Sequence, residues 1–245
     1  MREDIKVIEY ESIGSTNVEA KKFATQASSR APVLFVAREQ SAGRGRLGRS
    51  FLSRRDRGIY MSLLYFTDKP LTDAVNVTTA AAVFTSQAIE KATGNPTMIK
   101  WVNDVYNEKG KVVGILTETV KVGEALAVIV GIGINTGRED FPKDLCGIAA
   151  TIGEINERQG REIVESITEA LLSHAENPQN LEYMEEYRAR LMFVGEEVDL
   201  LRAGEIVARG RVEGVSDDGG LVFTRRGADT IEIIRTGEIS VRKRG

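Results

Sequence analysis

What this chain can fold into is constrained above all by a change of texture at Phe193. Before it, strand-like and helix-like runs interleave; after it, only short strand-like runs separated by turn residues remain. The later part predicts strands over 197–201, 205–215, 221–224, 230–234 and 238–241, with turns at 202–204, 217–220 and 235–237. Strands so closely spaced suit a small barrel. The earlier part predicts strands over 5–10, 32–37, 59–66, 98–101, 111–119 and 125–134. Thr16 followed by Glu19 predicts a capping box, after which Ala20, Phe23, Ala24 and Ala27 share a helical face. Val77, Ala80, Ala81, Phe84 and Ala88 trace a second helix, ended by Gly94-Asn95-Pro96, and further helices are expected over 162–175 and 180–191. Such interleaving predicts an α+β architecture, a mixed β-sheet with packed helices, followed by the small β-barrel. The expected division is 1–191 and 192–245.

Between the second and third predicted strands lies Gln-Ser-Ala-Gly-Arg-Gly-Arg-Leu-Gly-Arg, from Gln40 to Arg49. Gly43, Gly45 and Gly48 free the backbone to bend its N–H groups toward an anion. Arg44, Arg46 and Arg49 add planar cationic forks suited to carboxylate and phosphate oxygens. Residues 43–48 also spell the dinucleotide fingerprint G-x-G-x-x-G, with Asp68 at a fitting distance, but that motif must open a helix and here a polar basic stretch leads to a strand. Two other readings are a nucleic-acid loop, reinforced by Arg54, Arg55 and Arg57, and a solvated basic loop with no ligand.

Net charge is −3, whereas a general nucleic-acid binder is more often basic overall. No apolar run reaches the ~20 residues of a membrane span, and no secretory leader pattern opens the chain, so a cytoplasmic protein with no membrane partner is expected. The single cysteine, Cys146, has no internal disulfide partner and reads as a buried thiol. The single histidine, His174, continues the apolar spacing of a helix and reads as packed. With so little imidazole and thiol, any chemistry must rest on other groups.

The Arg/Gly segment has company in a fixed order: Ser15-Thr16-Asn17 before it, then Lys100-Trp101-Val102-Asn103-Asp104, Gly110-Lys111-Val112-Val113-Gly114-Ile115-Leu116 and Gly131-Ile132-Gly133-Ile134-Asn135 after it. Together, from about Gly14 to Arg242, these segments resemble biotin protein ligase. That resemblance implies a biotin/lipoate ligase-like catalytic domain and an SH3-like C-terminal domain. It implies activation of biotin with ATP and transfer to a lysine of a biotin carboxyl carrier protein domain. It further implies that Lys100 sits between the biotin carboxylate and the α-phosphate, while Arg44, Gly45 and Arg46 close over the intermediate. Ser15, Thr16, Asn17 and Gln40 are expected at the ureido end of biotin, with Lys111 completing the cationic cage. Arg46, Arg49, Phe51, Lys100, Asn103, Asn135 and Arg242 are expected to contact ATP, and Asp104 to hold Mg2+.

Two positions depart from the family pattern: Val102 stands where proline is common, and Phe51 where tryptophan is common. Phenylalanine still stacks on an adenine ring, with less area and no indole donor. About fourteen residues precede Ser15, too few for the helix-turn-helix domain of some relatives, so no DNA binding by that route is expected. The family includes monomers and homodimers, and nothing in this sequence selects between them. Lipoate or octanoate ligases are the nearest rival; Ser-Thr-Asn, Gly-Arg-Gly-Arg and the barrel tail favour biotin.

Overall fold

The computed structural model describes residues 5–68, 74–228, 230–235 and 239–243. The earlier part builds a seven-stranded sheet from β1 (Lys6–Tyr10), β2 (Val33–Ala37), β3 (Gly58–Thr67), β4 (Met98–Lys100), β5 (Asp104–Asn107), β6 (Gly110–Val122) and β7 (Ala125–Asn135). Their spatial order is β1-β2-β3-β7-β6-β5-β4, parallel only at β1-β2. The later part folds into a five-stranded antiparallel sheet where the barrel is expected, from β8 (Glu197–Arg202), β9 (Glu205–Val215), β10 (Leu221–Arg225), β11 (Ile231–Ile234) and β12 (Ile239–Lys243), in the order β11-β10-β9-β8-β12. The predicted turn at 235–237 lies outside the described residues beyond Arg235.

Alternation along β3 and β7 sends side chains to opposite faces of the sheet, and both faces are covered. On one face, Leu64, Ala127 and Ile129 pack with Ala20 and Ala24 of α1 (Thr16–Gln26). On the other, Met61, Leu63, Val128 and Val130 join a larger core with α2 (Ala74–Thr93) and α3 (Glu157–Glu176), which continues through α4 (Tyr183–Arg190) to Val198, Leu200 and Phe223 of the second sheet. No helix among the described residues is long and apolar enough to cross a membrane.

Four sequence expectations are corrected. Ser15, not Thr16, caps α1, and no capping box forms, because the Thr16 hydroxyl turns instead to Gln40. The third helix begins at Glu157 rather than 162, where Asn156 and Gln159 form a true reciprocal box. The fourth covers only Tyr183–Arg190, because Asn180 and Glu182 hydrogen-bond each other in the preceding turn. The strand predicted over 98–101 ends at Lys100, and a further strand, Asp104–Asn107, follows it.

His174 is packed as expected, edge-on to Phe84 and Tyr183, and burial holds its imidazole pKa below the ordinary 6.5. The unfolded chain binds a proton there as pH falls through about 6.5, while the folded chain resists. His174 therefore costs no stability above that pH and progressively more below it, down to its depressed folded pKa. His174→Phe is expected to flatten the fall in urea midpoint between about pH 7 and pH 5. An unchanged slope would assign the acid sensitivity to other groups.

Candidate active site

The α1 face of the sheet is apolar at one end and bare at the other. Along β7, Ala127, Ile129, Gly131, Gly133 and Asn135 share that face, flanked in register by Leu64, Ser62, Tyr60 and Gly58 of β3. Glu118, Leu116 and Gly114 of β6 flank Ile129, Gly131 and Gly133 on the other side. Two side chains occupy the space the glycines leave. A Cβ on Gly131 would lie 2.0 Å from Asn17 Oδ1, and one on Gly133 would lie 2.4 Å from the Phe51 ring. A Cβ on Gly114 would also meet that ring, at 2.9 Å. Phe51 thus rests on bare strand backbone, and the paired glycines shape its seat.

Asn17 is the centre of a buried polar network. The Ser62 hydroxyl donates to Asn17 Oδ1 at 2.6 Å, and the Asn17 amide donates to Leu116 O at 3.2 Å and Glu118 Oε2 at 3.0 Å. Thr16 donates through N–H at 2.9 Å and through its hydroxyl at 3.1 Å to Gln40 Oε1. Gln40 in turn donates to Ser53 Oγ at 2.8 Å. Glu118 also pairs with Lys21 of α1. Ser15, Thr16, Asn17 and Gln40 are thereby brought together, with Ser15, Thr16 and Asn17 nearly fully buried.

The Arg/Gly segment is a tight hairpin. Arg44 and Ser50 face each other across it, Gly45 N donates to Arg49 O at 2.8 Å, and Phe51 N donates to Gly43 O at 2.9 Å. Its tip is one 3-10 turn, Arg46–Gly48, with Leu47 at φ 58° and 48% exposed. A branched apolar residue rarely holds that left-handed conformation. Arg46 fastens the hairpin, bonding the Asn103 side chain and reaching Ile239 O of β12 at 3.4 Å.

The hairpin stands between two cavities. The first, about 650 Å³, is lined by Arg44, Gly45, Arg46, Arg49, Phe51, Lys100, Asn103, Asp104, Lys111, Asn135 and Arg242, so eleven positions expected at a site from sequence converge on one space. Burial pushes the Lys100 ammonium pKa below its usual value; Asp104 opposes this, and Lys111, Arg242 and Arg49 add repulsion. Lys100 also lies 5.5 Å from the Tyr106 ring centroid, a cation–π contact. Burial likewise lowers the Arg46 pKa, with Asp104 opposing. An excess of cations, with Lys100, Arg46 and Lys111 half-buried, around one carboxylate is a receptor for anions. The Asn135 amide donates to Ala150 O at 3.1 Å and so holds the loop that forms the cavity's far wall.

Asp104 is the only acid lining this cavity among the described residues, and Lys111 donates to it at 2.7 Å. No group of three His, Cys, Asp or Glu side chains among the described residues is arranged to hold a metal. Asp104 supplies one hard oxygen ligand, which fits an ion that keeps its water and phosphate ligands but not one caged by protein alone.

The second cavity, about 850 Å³, lies on the other side of the hairpin, lined by Leu116, Thr117 and Glu118 of β6, Val75 and Thr78 of α2, and Val102. Ser15, Thr16, Asn17 and Gln40 line neither cavity; Asn17 reaches the second only through Leu116 and Glu118. The arginines that suggested a nucleic-acid surface are engaged: Arg54 and Arg57 face Asp140, and Arg55 faces Glu11 and Glu39. Asp68 pairs with Arg30 at 2.9 Å, far in kind from a ribose ligand. Cys146 is exposed rather than buried, on the loop behind Ile148.

Sequence reasoning missed the bracket behind Lys100. Arg190 of α4 grips Glu90 of α2 through both guanidinium nitrogens, and Glu90 accepts the Thr97 N–H at 2.7 Å. Met192 N donates to Ile99 O at 2.9 Å, and Tyr187 donates to Val102 O at 3.3 Å. Trp101 Nε1 donates to Gly219 O at 2.9 Å. The Trp101–Val102 peptide bond within this segment is cis. Only an Arg and a Glu a hundred positions apart announce this bracket, a spacing without local periodicity.

The mixed sheet with its glycine-floored face, the lysine that ends β4 and the arginine hairpin together form a cation-lined site for anions. The chain belongs to the biotin/lipoate A/B protein ligase family, whose pattern matches residues 9–135. It is 39% identical over 153 residues to the bifunctional ligase/repressor BirA of Bacillus subtilis, a match covering 60% of this chain and 46% of that protein. It is 27% identical over 217 residues to the biotin--[acetyl-CoA-carboxylase] ligase of Mycobacterium tuberculosis, covering 85% and 79% of the two chains. The chain thus spans about half the length of the Bacillus relative it matches. Among solved structures, the biotin protein ligase from Aquifex aeolicus in complex with biotin and ATP superimposes with a TM-score of 0.80 and 28% identity, over 98% of this chain and 99% of that one.

Proposed function

We propose that this chain is a biotin protein ligase that converts biotin and ATP to biotinyl-5'-AMP and pyrophosphate, then transfers biotin to a lysine of a biotin carboxyl carrier domain. The observation that carries this reading is the convergence of Lys100, Lys111, Arg44, Arg46 and Arg49 with Asn103, Asp104, Asn135 and Phe51 on one cavity. The Aquifex relative, crystallised with biotin and ATP, supports it. The seven-stranded part, residues 1–191, is the catalytic unit, and the part from 192 closes one wall through Leu201, Gly204, Ser240, Val241 and Arg242.

In the first step a biotin carboxylate oxygen bonds to the α-phosphorus and the bond to pyrophosphate breaks. Both reactants are anionic, so neutralisation and alignment are what the protein must supply. Lys100, held half-buried at the end of β4, neutralises charge that grows between carboxylate and α-phosphate. Arg44 and Arg46 close over the product, and Lys111 and Arg49 screen the phosphates. Phe51 offers its ring to the adenine, and Asn103, Asn135 and Arg242 complete the nucleotide wall. The buried Ser15, Thr16 and Asn17, with the half-buried Gln40, present the polar groups that read the ureido ring. Asp104 would hold a Mg2+ arriving with the phosphates, which supplies neutralisation of the departing pyrophosphate. A cytoplasmic location fits this role.

The mixed anhydride must be kept from water until a lysine arrives. Arg46, with its ties to Asn103 and Ile239, is the latch of the hairpin that does this. Arg46→Gly is therefore expected to release biotinyl-5'-AMP and biotinylate bystander proteins, read by blotting a mixture with added albumin. A variant that turns over ATP and biotin yet labels only the carrier would contradict retention by Arg46. The function itself is tested by ATP–pyrophosphate exchange with biotin, lipoate and octanoate in parallel. Exchange with biotin alone supports the assignment; exchange with only lipoate or octanoate transfers the chain to the other branch of its family.

A further inference from the structure

Lys100 and Asp104 face each other, residue for residue, across the β4–β5 pair, and both side chains line the first cavity. Opposite charges directly opposed on neighbouring strands ordinarily attract. Here Asp104 is taken instead by Lys111 of β6, at 2.7 Å. Among the described residues no hydrogen bond or salt bridge reaches the Lys100 ammonium. The contact it does make is with the face of Tyr106, 5.5 Å from its nitrogen to the ring centroid.

The register of β5 puts Tyr106 there. Alternation places Asp104 and Tyr106 on the same face of that strand, with Tyr106 opposite Met98 of β4 and Lys111 of β6. Its ring is therefore diagonal to Lys100, has Lys111 on its other side, and stands half-buried in the cavity wall. An aromatic face attracts a cation through its quadrupole but carries no net charge. It can fix where an ammonium sits without cancelling the charge. A carboxylate in that place would do both, and an incoming anion would have to break the ion pair before it could use the lysine.

Building on the ligase reading above, in which Lys100 acts between carboxylate and α-phosphate, we propose that Tyr106 is the positioning residue for Lys100. Its ring holds the ammonium off Asp104 and at the cavity, with the charge uncompensated until the anions bind. Lys111 has the complementary part, occupying the carboxylate that would otherwise draw Lys100 across the strand pair. If Tyr106 only packed, its shape alone would matter. If it positions Lys100 through the ring face, activity follows the electron density of that face at constant shape.

The test uses the full chain carrying phenylalanine, or phenylalanines with one, two and three ring fluorines, in place of Tyr106. Fluorine withdraws electron density from the ring face and changes the ring's size little. Biotin-dependent ATP–pyrophosphate exchange is measured at saturating biotin and ATP, with KM for biotin and Tm alongside. Tyr106→Phe keeps the ring and is the reference for the series. From it, the maximal rate is expected to fall stepwise with each fluorine, by about tenfold at three, while KM for biotin changes by less than about twofold. Tyr106→Leu is expected to lose as much as the ring with three fluorines. A rate that is flat across the fluorinated series, or that falls only where Tm falls with it, makes Tyr106 a packing residue and overturns the inference. Failure of the ligase reading looks different: the wild-type chain then shows no exchange with biotin at all.

Discussion

Replacing Lys100 with methionine is expected to lower biotin-dependent ATP–pyrophosphate exchange by about 10²–10³-fold, equivalent to roughly 3–4 kcal/mol of transition-state stabilisation. Methionine keeps most of the side chain's length but removes the charge that lies 5.5 Å from the Tyr106 ring centroid. The cost of holding that charge is visible in the folded protein, where burial and three neighbouring cations all disfavour the ammonium and only Asp104 supports it. A site that crowds cations is strained until anions arrive, and the strain is relieved most where anionic charge concentrates during phosphoryl transfer. Titration calorimetry separates the readings: biotin binding alone should weaken far less than exchange does. Exchange at the wild-type rate would remove Lys100 from the chemistry.

Gly131→Ala carries the second large effect. The new Cβ would sit 2.0 Å from Asn17 Oδ1 and 2.7 Å from its Cγ, so Asn17 must swing away. That breaks its bonds to Ser62, Leu116 and Glu118 at a side chain only 4% exposed. Orphaned buried polar groups cost about 1–3 kcal/mol each, so a loss near 3 kcal/mol is expected, or about 6–12 °C in Tm for a chain of this size. Biotin affinity should fall with it, because the network holding Thr16 and Asn17 is the one assigned to the ureido ring. Asn17→Ala in the same chain should recover part of the lost stability, since the clash and the broken bonds share one side chain. A double mutant as unstable as the sum of both singles would place the strain elsewhere.

The sheet was largely legible because its strands are apolar runs punctuated by Gly, Asn and Lys at the turns. Asp104–Asn107 was missed because four residues flanked by Asp and Asn look like a turn, and only pairing with β6 makes them a strand. The Thr16–Glu19 box looked right locally, but Gln40, 24 positions away, offers the threonine hydroxyl a better-placed acceptor. The glycines of β7 announced a close approach without saying of what; the answers, Asn17 and Phe51, come from other elements. The cations of the first cavity were legible as a set because charged residues in loops and at strand ends have few structural reasons to cluster. That Lys111 grips Asp104, and that Glu118 faces a different cavity, depended on register across β5, β6 and β7.

The bracket behind Lys100 bears on how the protein is made. Arg190 follows Thr97 by 93 positions, and Ile239, which anchors Arg46, follows it by 193. During translation the lysine's strand therefore emerges long before its fasteners, and the carbonyl that anchors Arg46 emerges later still. A nascent polypeptide not yet extended to Ile239 would display the arginines and glycines without the contact that ties Arg46 to β12, so the hairpin is fastened only after the second sheet has been made.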